Sequence, residues 1–121
     1  MHHKLEDIKV WNKAVKLSTN IYLLTQNFPN VELYGLVSQM RRGVVSVASN
    51  IAEGAGRSSQ KEFIYFLKIA TGSSYELQTQ LLISFNLGFI NKEQKENILN
   101  NIYEIQKMIY GFIQSLEKSN V

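Results

Sequence analysis

Apolar side chains recur along the chain in the 4-3 rhythm of packed helices, four separate times. The first series is Val10, Ala14, Leu17, Ile21, Leu24 and Phe28, and the second Leu33, Val37, Met40, Val44, Val47 and Ile51. A third runs Phe63, Leu67, Ala70, Ser74, Leu77, Leu81 and Phe85, and a fourth Ile98, Ile102, Ile105, Ile109, Phe112 and Leu116. No stretch sustains alternation of period two, so no strand is predicted.

The boundaries have their own chemistry. Pro29 stops the first helix, and Asn30 is placed to cap the second, with Glu32 favourable in its first turn. Gly54 and Gly56 are expected to end the second helix by adopting the left-handed conformation. Ser59 with Glu62, and Asn91 with Gln94, have capping-box spacing for the third and fourth helices, and Gly88 is placed to close the third. The pattern predicts helices over about 8–27, 31–54, 60–87 and 92–118 in a single domain spanning residues 1–121. Loops this short force successive helices to run antiparallel. The expected fold is therefore all-α, an antiparallel up-and-down four-helix bundle.

Apolar residues make up 45% of the 121, a globular composition long enough to bury a core. Trp11, Val15, Tyr22, Tyr34, Val45, Tyr65, Phe66, Leu82 and Ile83 lie outside the seams. Some of them widen the core-facing stripe, and the rest are expected to form an intersubunit face.

Cysteine is absent, which removes disulfides, thiolate metal sites and cysteine nucleophiles. No segment resembles a signal peptide and no apolar run could cross a membrane, so a cytoplasmic location is expected. The only histidines, His2 and His3, precede the first helix, where a disordered start or an added remnant is the plainer reading. Di-iron chemistry in a bundle would need Glu-x-x-His pairs on facing helices and haem an axial His or Met, whereas Met40 and Met108 read as core fillers. No phosphate-binding loop or dinucleotide fingerprint is present. The expectation is a non-enzymatic chain without cofactor or metal.

The segment from Gln39 to Ser58 holds the most information. At 100° per residue, Gln39, Arg42, Ser46, Asn50 and Glu53 fall within an arc of about 80°, at the flank of the apolar seam. Ser and Asn are poor helix-interior residues, so this stripe reads as a structural polar tie between helices or subunits. Glu76 is a candidate partner for Arg42, and Arg57 for Glu53.

These same residues resemble a known family, the bacterial "four helix bundle protein" or 23S ribosomal-RNA intervening-sequence proteins, which includes the accessory variability determinant of diversity-generating retroelements. The matching pieces are Val10-Trp11 with Ala14, Phe28-Pro29 with Glu32, and Gln39, Arg41-Arg42 and Ser46. They continue through Asn50-Ile51-Ala52-Glu53-Gly54, Gly56-Arg57, Phe66-Leu67, Ile69-Ala70, Gly72-Ser73 and Glu76-Leu77, spanning roughly residues 5–90. The fourth helix matches only in pattern, and Ala48 stands where the family typically has proline. The resemblance implies a ring-like homopentamer and, for the retroelement members, a basic barrel binding nucleic acid and a reverse transcriptase.

Charge is compatible with such a role. Thirteen Lys and Arg against ten Asp and Glu give +3, so five copies would carry about +15. Lys9, Lys13 and Lys16 form one basic strip at i, i+4, i+7, and Arg41, Arg57, Lys61 and Lys68 a second set around helices 2 and 3. Contacts through these groups would be to phosphate, independent of base sequence. Aromatic interleaving of the kind that stacks single strands is not expected, because most aromatics sit near the apolar seams. The expected function is thus an oligomeric accessory protein binding RNA or DNA. The alternative is a protein–protein scaffold that docks a partner such as a reverse transcriptase.

Overall fold

The computed structural model describes residues 3–119, so Met1, His2, Asn120 and Val121 lie outside it. Four helices dominate: α1 (Lys9–Thr25), α2 (Ser38–Ala55), α3 (Gln60–Asn86) and α4 (Lys92–Lys118). No strand is present among the described residues.

Cross-helix contacts give the helix directions. Along α2, Met40, Ser46 and Gly54 meet Ser84, Ser73 and Phe63 of α3 in descending order, so the two run antiparallel. The same descent pairs Ser18 and Thr25 of α1 with Val44 and Arg41 of α2. On α3, Gln60, Phe63 and Ser74 meet Ser119, Phe112 and Gln106 at or beyond the C-terminal end of α4 and back along it. Lys13 of α1 closes the ring of helices on Asn101 and Glu104 of α4. This is the expected antiparallel four-helix bundle.

The helix ends follow local chemistry. Asn91 Oδ1 accepts from the Gln94 amide at 2.7 Å, and Gln94 Oε1 accepts from the Asn91 amide at 2.9 Å, a complete capping box. Ser59 caps α3 by accepting from the Glu62 N–H. Its C-terminus closes on Gly88 at φ 79°, where Phe89 N–H reaches Ser84 and Gly88 N–H reaches Phe85.

Entry into α2 differs from the expectation. Asn30 makes no side-chain cap; Asn30–Glu32 form a 3₁₀ turn and Leu33–Val37 a wider π turn that is non-helical at Gly35. The Glu32 carboxylate curls back and accepts the Leu36 N–H at 3.3 Å. A Cβ on Gly35 would stand 3.0 Å from that carboxylate, so glycine makes room for the cap. This break turns Leu33 outward, 47% exposed, although its spacing places it in a core seam.

Neither Gly54 nor Gly56 is left-handed. Gly54 lies inside α2, and Gly56 caps it at φ −82°. Gly54 has a different use: a Cβ there would come within 2.8 Å of Phe63 Cδ1 and 2.9 Å of Phe66 Cβ. It lets α2 and α3 approach closely at their shared corner.

The core joins all four seams. Val10, Ala14, Leu17 and Ile21 of α1, Met40, Val44, Val47 and Ile51 of α2, Leu67, Ala70, Leu77 and Leu81 of α3 and Ile102, Ile105 and Ile109 of α4 form one buried cluster. Ile8 and Ile90, from outside the helices, are buried with them. His3 lies against this core, its ring edge-on to Phe63 at 5.1 Å, while His2, the other histidine of the expected disordered start, lies outside the described residues.

Candidate nucleic-acid interface

The seven candidate basic residues separate into two kinds. Three are held by the bundle itself. Lys13 Nζ donates to Asn101 Oδ1 at 3.1 Å and pairs with Glu104 at 3.2 Å, tying α1 to α4. Arg41 turns back on α1, donating to Thr25 Oγ1 at 3.0 Å and to the Tyr22 carbonyl, with its guanidinium over the Tyr22 ring. Arg57 pairs with Glu53 at 2.9 Å and Glu62 at 3.7 Å while lying over Phe66, bracing the corner between α2 and α3.

The other four, Lys9, Lys16, Lys61 and Lys68, are exposed and make no ion pair among the described residues. They sit on two helices. Lys9 and Lys16 project from α1, and Lys61 and Lys68 from α3, helices separated from one another by α2 and α4. Lys16 also lines a polar cleft of about 340 Å³ between α1 and α4, with Lys13 and the amides of Asn20, Asn97 and Asn101.

The polar stripe of α2 is likewise divided. Ser46 and Ser73 share a hydrogen bond of 2.9 Å across α2 and α3, and Asn50 Nδ2 donates to the Ser46 carbonyl and hydroxyl at 2.8 and 3.0 Å. These three form a tie between the helices. Gln39, Arg42 and Glu76 instead stay exposed along a polar groove between α2 and α3, which Tyr34 and Gln80 also line. Arg42 and Glu76 share the groove without forming the expected ion pair, and both are exposed.

The aromatic residues depart furthest from expectation. Tyr65 and Tyr75 on α3, and Tyr103 and Tyr110 on α4, are 61, 56, 44 and 65% exposed, off the seams. Tyr75, Tyr103 and Tyr110 line one groove with Gln106, Lys107 and Gly111. A signal for it was available: Lys61, Lys68 and Tyr75 follow at intervals of seven, and Tyr103, Lys107 and Tyr110 at i, i+4, i+7. Each set marks one face of its helix, on the side away from the core.

No cluster of three His, Cys, Asp or Glu side chains that could hold a metal ion occurs among the described residues. No described helix is long and apolar enough to cross a membrane.

The family model described as 23S rRNA-intervening sequence protein matches residues 6–111. A solved structure of a protein of unknown function from the S23 ribosomal protein family of Bacteroides thetaiotaomicron is similar at 27% identity and a TM-score of 0.81. The alignment covers 87% of this chain and 95% of that one. No curated protein matches.

Proposed function

The chain belongs to the 23S rRNA-intervening sequence protein family, and from that premise we propose that it is a non-enzymatic, oligomeric accessory protein that binds RNA or DNA through phosphate contacts. The observation that carries this reading is the set of four exposed, unpaired ammonium groups at Lys9, Lys16, Lys61 and Lys68. A phosphate backbone needs positive charge within reach and no particular base, and these groups are available without breaking an internal bond. One copy offers only +3. Assembly multiplies that charge around a closed ring, which is where the homopentamer implied by the family resemblance would matter.

A second reading is favoured by a specific feature. Val15, Tyr22, Val45 and Ala48 line an apolar groove of about 510 Å³ between α1 and α2. Such a surface suits a subunit contact or a docked polypeptide, as a reverse-transcriptase scaffold would require. Pull-downs that return only self-association would count against the scaffold.

The nucleic-acid reading is tested with two double variants, Lys9→Gln with Lys16→Gln, and Lys61→Gln with Lys68→Gln. Fluorescence anisotropy with labelled RNA and DNA should show weaker binding for each. The slope of log K against log salt should fall by roughly one per lysine removed. The protein should run in solution at a multiple of its 13.9 kDa chain mass. Wild-type affinity and slope in both variants would remove these lysines from the interface, and a monomeric mass would remove the assembly.

A further inference from the structure

Phosphate contact alone does not explain the groove between α3 and α4. Tyr75, Tyr103 and Tyr110 line an open surface groove of about 640 Å³. Tyrosine is intermediate between core and surface, and these three stay 44–65% exposed while lining one groove. Their surroundings are fixed by hydrogen bonds. Gln114 Nε2 donates to the Tyr110 hydroxyl at 2.9 Å, and the groove floor is tied by Gln106, which donates to Ser74 at 3.2 Å and to Gln78 at 2.9 Å.

The charge beside the rings is positive. Lys107 lines the groove, and Lys68 lies on the α3 face that bears Tyr75, level with Tyr110 in the antiparallel register set by Phe63–Phe112 and Ser74–Gln106. Both ammonium groups are exposed and form no ion pair among the described residues. No carboxylate lines the groove; Glu104, next in sequence to Tyr103, is turned toward Lys13 on α1. Gly111 at its edge and Gly72 on the facing helix would place a Cβ in open space, so internal packing requires neither glycine. Gly111, which lines the groove, leaves a low surface beside Tyr110.

We infer that the groove of Tyr75, Tyr103 and Tyr110 stacks the bases of an unpaired nucleic-acid strand, with its phosphates toward Lys68 and Lys107. Aromatic faces accept any base, and the adjacent ammonium groups neutralise the backbone that follows it. A duplex keeps its base faces stacked internally and cannot use the rings. An apolar polypeptide would leave the tyrosine hydroxyls and both lysines without matching groups. The inference rests on the nucleic-acid reading above and adds a preference for single strands.

The test compares a single-stranded oligonucleotide with an abasic strand of equal length, which keeps the phosphates and lacks the bases. Wild type is expected to bind the base-bearing strand roughly five- to a hundred-fold more tightly. Tyr103→Ala with Tyr110→Ala should close that gap while leaving abasic binding unchanged, and the two Tyr→Phe changes should restore it. Far-UV circular dichroism of each variant checks that the bundle is intact. Equal binding of the two strands by wild type, or a gap that survives the alanine pair, overturns base stacking and leaves phosphate contact standing. So does a polypeptide that docks in competition with neither strand and is lost on Tyr→Ala. Failure of both strands, and of a duplex of the same length, to bind overturns the nucleic-acid reading as well.

Discussion

Phe63→Ala is expected to lower the free energy of unfolding by about 3–5 kcal/mol, at the upper end of what a single core truncation costs. Phe63 is 1% exposed at the corner where the start of α3 meets the ends of α2 and α4. Its ring meets Phe112 at 5.1 Å and His3 at 5.1 Å, both edge-on, and its Cδ1 fills the space left by Gly54. Removing it opens a cavity bounded by three chain segments that cannot all collapse inward together. A domain of this size has only about 5–15 kcal/mol in total, so the variant would stand near the edge of folding. Chemical denaturation at fixed protein concentration measures the loss, because assembly makes stability concentration-dependent. A change below about 1 kcal/mol would mean that the corner is not packed as described.

Gly54→Ala should also destabilise, by about 1–3 kcal/mol, even though alanine is the better helix former. The new methyl would meet Phe63 and Phe66 side-chain atoms at 2.8 and 2.9 Å and the Phe63 carbonyl oxygen at 3.2 Å. The carbonyl belongs to the α3 backbone, so relief requires the helices to separate. Gly72→Ala is the matched control. It lies within α3, nothing stands within 4 Å of its added Cβ, and stability should rise by about 0.5–1 kcal/mol. Opposite signs in parallel thermal melts check the helix contact. A neutral or stabilising Gly54→Ala would contradict it.

Periodicity made the four helices legible because a core seam needs only spacing, and spacing is written directly in residues such as Ile102, Ile105 and Ile109. The capping box at Asn91 and Gln94 was readable for the same reason, since both partners lie within one turn. The start of α2 was not. Asn30 is the cap that spacing suggests, yet the Glu32 carboxylate is the group that reaches the Leu36 amide, beside the non-helical backbone of Gly35. The role of Gly54 was equally hidden, because its glycine requirement comes from a neighbouring helix, which no local pattern contains.

The candidate interface was legible only as an inventory of charges. Lys13 and Arg41 look like their exposed counterparts in sequence, but their partners Asn101 and Thr25 become neighbours only through the fold, whereas the Arg57–Glu53 pair was readable at i, i+4. The tyrosines show the converse. Tyr75 and Tyr110 are 35 positions apart in the numbering, and the groove they share exists only once α3 and α4 pair. Membership of the family supplies the fold and a setting, while the exposed lysines and tyrosines supply the chemistry on which the proposed binding rests.

The most direct measurement of that binding is the affinity of the wild-type protein for single-stranded, duplex and structured RNA and DNA at about 50 and 200 mM salt. Phosphate contact predicts binding in the low micromolar range or tighter at the lower salt, weakening steeply at the higher and indifferent to base sequence. No binding at 50 mM salt, or an affinity that salt leaves unchanged, would contradict it.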